Sequence, residues 1–185
     1  MLEIRFHGRG GQGVVVGCNI LGMSFFYEGN QVQFFPEFGV ERRGAPVQAF
    51  LRVSDDKIRM RYNIYQPDHV VLFDMSLLGA VNVAEGIKDN GWVLINSKRS
   101  LRDFKFDKKL RIAIIDADGI SLENGLGSKA SPIINAAMVG AFARIINCVS
   151  MDSLQKAVGE SVPVKIEQNI NAAKMAYENV VMEDM

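Results

Sequence analysis

The 185 residues carry 21 basic and 21 acidic side chains and no formal net charge, which excludes the one-sign field of a nucleic-acid or membrane-surface binder. Apolar residues make up 48%, enough for one sizeable core in a single domain over 1–185, yet no uninterrupted apolar run approaches the roughly 18 residues of a membrane span. Cys18 and Cys148 show no C-x-x-C spacing and are expected to be buried free thiols in a reducing compartment, so metal or iron–sulfur ligation by this chain alone is not expected. Met1 leads straight into a strand without a basic and apolar leader, which makes the cytoplasm the expected location.

In chain order, Leu2, Ile4 and Phe6 alternate with polar residues and predict a first strand. Gly8, Arg9, Gly10, Gly11, Gln12 and Gly13 follow as a glycine-rich turn, and an apolar run predicts a helix over 13–27. Such a turn lets backbone approach a ligand closely, and the first N–H groups of the helix have no partner in the helix itself, so the loop suits an anion. Gly8, Gly10 and Gly13 also satisfy G-x-G-x-x-G, the dinucleotide-binding spacing. An acidic ribose ligand is expected about twenty residues on; Glu28 comes early and Glu37 late. Glycines serving tight helix–sheet packing alone are the competing explanation.

Residues 31–35 alternate as a second strand closed by Pro36, and 37–46 form a charged loop rich in glycine and proline. If the first two strands are parallel neighbours, that loop and the glycine turn open at the same carboxyl edge, where open α/β sheets bind ligands. Residues 47–53 and 57–62 alternate with period two around Ser54-Asp55-Asp56, predicting a β-hairpin. A central parallel strand is expected at 68–74, a broken helix at 76–88, a buried strand at 92–96, a solvated connection at 98–109, and the last strand at 110–116, followed by an acidic tip at Asp116 and Asp118. Ser131-Pro132 predicts the start of an apolar helix reaching Cys148, with Asn135 its polar exception; helices at 151–158 and 164–181 complete the chain. The pattern predicts a three-layer α/β/α fold with a mixed, mostly parallel sheet carrying an antiparallel hairpin.

No Ser-His-Asp signature, zinc spacing or phosphate-loop lysine is present. His7 is expected to orient the glycine loop, His69 to be surface structure, and Asp74, Asp116 and Asp118 to cap turns. Glu41, Arg42 and Arg43 are the informative charges: the two guanidinium groups either form an ion-pair lattice with Glu37 and Glu41 or leave one fork free for a phosphate or carboxylate.

The segments 6–13 and 35–46, the hairpin after them, the strand ending at Asp74, the helix over 135–140 and the motif Glu167-x-Asn169-x-x-Ala172 together resemble the gamma subunit of 2-oxoacid:ferredoxin oxidoreductases over nearly the whole chain. Ala45-Pro46 after Arg43-Gly44 resembles the pyruvate or branched-chain type. The resemblance implies a complex that decarboxylates a 2-oxoacid with thiamine diphosphate, passes two electrons through iron–sulfur clusters to ferredoxin and releases an acyl-coenzyme A. It further implies alpha, beta and ferredoxin-like delta partners that hold the thiamine and the clusters, and a gamma domain near the coenzyme A entry. On that resemblance Gly8, Arg9, Gly10, Gly11, Gln12, Gly13, Glu41, Arg42 and Arg43 are expected to contact coenzyme A phosphate or a neighbouring subunit. A dinucleotide-binding oxidoreductase and a ligand-free scaffold are the alternatives.

Overall fold

A computed structural model describes residues 1–37, 44–106 and 108–183. Among these residues seven strands form one mixed sheet in the order β2-β3-β1-β4-β5-β6-β9. Its centre is parallel: β1 (Leu2–Arg9), β4 (His69–Leu72), β5 (Trp92–Asn96) and β6 (Arg111–Ile115). Its flanks are antiparallel, with β3 (Pro46–Ser54) beside β1, β2 (Gln31–Pro36) beside β3, and β9 (Val181–Met182) beside β6. The segment at 110–116 is therefore not the last strand. Because β4, β5 and β6 are covered on both faces, their residues are apolar without alternation.

Among the described residues five α-helices cover one face: α1 (Val14–Tyr27), α2 (Ala117–Glu123), α3 (Asn135–Ile146), α4 (Met151–Ser161) and α5 (Ile166–Asn179). They share a core with Ile4, Phe6, Leu51, Val71, Leu94 and Ala113, the strand residues of that parity. Val70, Leu72, Val93, Ile95, Ile112 and Ile114 point the other way, against Leu77, Val83, Ile87 and Phe104. This third layer is built of short 3-10 helices and turns rather than α-helices. The expected broken helix at 76–88 reduces to a 3-10 turn, Met75–Gly79, followed by turns, because Gly86 takes φ +70° with its Cα against the Tyr65 carbonyl, where a helix cannot continue. Nor is 98–109 only solvated: a 3-10 turn at Leu101–Asp103, closed by a reciprocal Ser100–Asp103 capping box, delivers Phe104 into the second core.

The hairpin expected across 47–62 does not form. Both edges of β3 are taken, by β1 and β2, so 57–62 has no ladder to join and its alternation serves another purpose. The segment crosses the second face, where the Met60 carbonyl accepts from Gln33 and the Tyr62 carbonyl from Arg52. The antiparallel pair is instead β2–β3, and β3 separates β1 from β2, which are not neighbours. Since β3 opposes both, they still run in the same direction and end at one edge.

Three further boundaries differ. Ser131–Pro132 is a short strand, β8, paired with β7 (Gly127–Ser128), and α3 starts at Asn135, because Pro132 is engaged opposite Gly127 rather than in a first helical turn. Asp116 is a helix cap: its Oδ1 accepts from the Gly119 N–H at 2.8 Å and opens α2. Asn147 ends α3 in the left-handed conformation, which puts Cys148 past the helix on the surface, contrary to the expected buried thiol. Cys18 is buried on α1 and burial pushes its thiol up. Among the described residues no helix is long and apolar enough to cross a membrane.

Candidate functional site

Leaving β1 the chain turns to the helical face and becomes α1, whereas leaving β4 it turns to the other face, where Leu77 enters the second core. The gap between the carboxyl ends of these neighbouring strands is a topological switch point, where open α/β sheets place ligands. Here the chain's own side chains bridge it. The Arg9 Nε lies 3.2 Å from Asp74 Oδ2 and the same side chain donates to Ser76 Oγ and, at 2.9 Å, to the Gly44 carbonyl. Gln12 Nε2 donates to Asp74 Oδ2 at 2.9 Å, while its Oε1 accepts from the Arg9 N–H at 2.7 Å. Asp74 Oδ1 caps the following 3-10 turn through the Ser76 N–H. Burial alone would raise the Asp74 carboxyl, but the bonds from Ser76 and Gln12 and the charge of Arg9 outweigh it and hold the group below its ordinary value.

The glycines are there for approach. A Cβ on Gly8 would collide with the Val14 side chain and press on Phe73, and Gly13 stands at φ +77° as the N-cap of α1. Gly10 donates to the Ala45 carbonyl at 2.9 Å and accepts from the Gly44 N–H at 3.1 Å, stapling the glycine turn to the residues just before β3. Gly8, Arg9, Gly10, Gly11, Gln12 and Gly13 thus form one continuous rim with Gly44 and Ala45 at the carboxyl edge. Glu41, Arg42 and Arg43 lie outside the described residues.

The contacts of His7 do not serve the glycine turn as expected: its carbonyl accepts from the Phe73 N–H at 2.8 Å, one step beyond the β1–β4 pairing. The ring faces the second layer, where Nε2 accepts from Arg5 Nε at 3.0 Å. Burial, and then the Arg5 charge, push His7 down to about 3, so it stays neutral. Arg5 itself, 7% exposed, donates to the Val83 and Glu85 carbonyls, and burial lowers its own value against the pull of Glu85 and Glu37. His69 is structural but not on the surface as expected: Nδ1 accepts from the Trp92 N–H at 3.0 Å, the ring lies against Phe142, and burial pushes it down to about 4.

Sequence reasoning passed over two buried cations and underused one amide. Arg5 and Arg52 sit at strand positions whose neighbours are apolar, and the parity of β1 and β3 is the signal that placed them on the covered second face. Asn135, noted only as an exception on α3, packs against Gly13. Among the described residues no three His, Cys, Asp or Glu side chains gather as a metal site. An iron–sulfur cluster takes four thiolates, and the chain has two cysteines, one buried and one exposed.

The model of the family described as pyruvate ferredoxin/flavodoxin oxidoreductase matches residues 3–179. The chain is 49% identical to pyruvate synthase subunit PorC of Methanothermobacter marburgensis over 181 residues, covering 97% of this chain and 98% of that one. It is 47% identical to the pyruvate/ketoisovalerate oxidoreductases common subunit gamma of Thermococcus kodakarensis, covering 100% of both. Its fold is similar to the crystal structure of pyruvate oxidoreductase subunit PORC from Thermotoga maritima, with a TM-score of 0.84 and 31% identity over 99% of this chain and 98% of that one.

Proposed function

The chain belongs to the pyruvate ferredoxin/flavodoxin oxidoreductase family, and from that premise we propose that it serves as the gamma subunit of a thiamine-diphosphate-dependent 2-oxoacid:ferredoxin oxidoreductase. The observation that carries the reading is end-to-end similarity: relatives named gamma subunit or PorC are matched over nearly their full length. As one subunit of a multi-subunit oxidoreductase, a single domain over 1–185 packs against the alpha, beta and ferredoxin-like delta chains. Those partners hold thiamine diphosphate and the iron–sulfur clusters, bind ferredoxin and supply the reacting groups. Bound thiamine would supply the carbanion that attacks the oxoacid carbonyl. This chain's part is positional: Gly8 to Gly13 present a rigid rim, set by the Arg9–Asp74–Gln12 bridge, towards coenzyme A or the neighbouring subunit. Gly44 and Ala45 are bonded to that rim through Gly10.

The isolated chain is expected to turn over no 2-oxoacid with coenzyme A and a low-potential electron acceptor, while the reconstituted four-subunit complex does; turnover by the chain unaided would overturn the reading. Calorimetric titration with coenzyme A, first of the chain and then of the complex, separates ligand contact from packing. If Arg42→Ala with Arg43→Ala raises the KM for coenzyme A, the rim touches ligand. If the pair disrupts assembly and leaves the KM of surviving complex unchanged, the subunit is a scaffold. The dinucleotide alternative is weakened by a specific feature: the antiparallel β3 lies beside β1, where a dinucleotide-binding half has a parallel strand. Saturable binding of NAD by the isolated chain would restore it.

A further inference from the structure

We propose that 57–65 is a docking surface for an acidic segment of a neighbouring subunit, with Lys57, Arg59 and Arg61 receiving its carboxylates and Tyr62 and Tyr65 its apolar contacts. The alternation that finds no ladder here sorts side chains between the second face and solvent: Ile58 and Met60 are half-buried, while Lys57, Arg59 and Arg61 are exposed. The backbone is held from below. The Met60 carbonyl accepts from Gln33 at 2.9 Å, the Tyr62 carbonyl accepts from Arg52 at 2.8 Å, and the Arg52 guanidinium lies 5.0 Å from the centre of the Tyr62 ring. Further on, the Tyr65 carbonyl backs directly onto Gly86. A segment fixed by its backbone offers its side chains in one arrangement, which lowers the cost of ordering them against a partner.

Residues 57–66 carry three bases and no acid, in a chain with 21 of each. The cations stand at alternate residues, so the Cα atoms of successive ones are at most about 7 Å apart, and among the described residues none of the three enters an ion pair. Like charges so placed repel, and an opposing row of carboxylates relieves the repulsion. Tyr62 and Tyr65 are 57% and 69% exposed beside them, and arginine and tyrosine are the residues enriched where one protein grips another. A nucleic-acid strand also carries negative charge and stacks on tyrosine. It fits less well, because Asp55 and Asp56 precede the stripe and Glu37 and Glu85 act on Arg5 on the same face, so an unbroken run of phosphates would meet carboxylates. Discrete carboxylates on a polypeptide can fall between them. The inference rests on the gamma-subunit reading and adds to it a second contact surface, on the second face of the sheet rather than at its carboxyl edge.

The test compares assembled four-subunit complexes by sedimentation across a sodium chloride series. Lys57→Gln, Arg59→Gln and Arg61→Gln together should raise the dissociation constant of this chain from the complex about tenfold to a hundredfold at low salt and flatten its salt dependence, with the Tm of the chain unchanged. Arg59→Lys with Arg61→Lys keeps the charges and should keep most of the affinity. Arg99→Gln, Arg102→Gln and Lys105→Gln remove the same charge from another exposed part of the second face and should weaken association less than about threefold; an equal loss there would make net charge the cause and overturn the surface. Tyr65→Ser should weaken association about threefold to tenfold. A carbodiimide, which joins an amine to a carboxylate in contact with it, should couple Lys57 to an aspartate or glutamate of another subunit. Coupling within this chain alone would overturn the acidic partner, and so would an oligothymidylate that shifts the amides of 57–66 where no such coupling forms. If the triple glutamine variant stays in the complex as firmly as the unaltered chain, the surface fails and the gamma-subunit reading stands. An unaltered chain that joins no complex defeats that reading and the docking surface with it.

Discussion

Arg52 has no exposed surface, and its guanidinium is nevertheless fully engaged: Nε pairs with Glu3 at 2.8 Å, one terminal nitrogen donates to Gln33, the other to the Tyr62 carbonyl, and the plane lies against Phe35 and Tyr62. Such a charge matters less for what it adds than for what its loss would strand. Arg52→Met should cost about 3 kcal/mol in urea denaturation, because Glu3, Gln33 and the Tyr62 carbonyl lose their donor together. The double variant with Glu3→Gln should cost less than the sum of the singles; additivity would mean the pair is not coupled. The two histidines make a pH argument. In the unfolded chain each takes a proton near its ordinary 6.5, while in the fold His7 waits until about 3 and His69 until about 4. The unfolded state therefore binds more protons below about 6.5, and stability falls as pH drops, by up to about 1.4 kcal/mol per pH unit for each ring. The loss continues to about 4 for both rings, and below that for His7 alone. Asp74 adds in the same direction at lower pH: its lowered carboxyl stabilises the fold above the ordinary carboxylate range and ceases to do so as it protonates. Tm measured from pH 7.5 to 5 should decline, and His7→Gln should remove up to half of the slope. A flat profile would contradict the burial of both rings.

At the level of elements, α3 and α5 cross at Gly140, where any Cβ would strike the Ala173 carbonyl, among Ala172, Ala173 and Ala176. Gly140→Ala should therefore destabilise by about 1–3 kcal/mol, although alanine is the better helix former by nearly 1 kcal/mol; a stabilised variant would show that the helices can separate freely. The contest at Gly140, packing against propensity, is the kind that sequence patterns register poorly. Period-two runs located β1, β2, β3 and the buried strands because burial on fixed faces enforces alternation or apolar continuity. The same rule failed at 57–62, whose alternation is real but whose would-be partner β3 already had two neighbours, a fact of topology and not of local sequence. Ser131-Pro132 carried a sound local start signal, overridden by pairing with Gly127. For the site, spacing found the glycine rim, since positive φ and close approach leave glycine as their mark. The Arg9–Asp74 bridge spans 65 residues of sequence and Asn135 meets Gly13 across more than a hundred, so neither was visible until the sheet brought β1, β4 and α3 together. Amide exchange should report the hairpin correction directly: the amides of 57–62 should exchange about a hundredfold faster than those inside β3.

Across the whole molecule the sheet divides two unequal cores. The helical side buries α1, α3, α4 and α5 over every strand of the sheet centre, and its helices close on one another through small residues. The other side is roofed by 3-10 turns and irregular chain, where few backbone bonds repeat and where buried cations replace apolar residues beneath β1 and β3. A roof of that kind is held by side chains such as Leu77, Val83, Ile87 and Phe104 inserted one at a time, and by Arg5 bonded to the Val83 and Glu85 carbonyls. Its local opening should therefore need less free energy than opening the helical layer, since fewer cooperative hydrogen bonds break with each inserted side chain. Native-state hydrogen exchange should show 75–91 and 98–106 opening as one or two units well below the global stability, with α1, α3 and the central strands opening only on global unfolding. Phe104→Ala should lower the first tier by about 3 kcal/mol and the global tier by a similar amount, because the side chain is buried in the native state common to both. Arg5→Met should act mainly on 81–87, freeing the segment whose carbonyls the guanidinium holds. Equal protection of both layers would mean that the two cores unfold as one, and that the polar belt between β1 and the 81–87 segment binds the roof as firmly as the apolar contacts bind the helices.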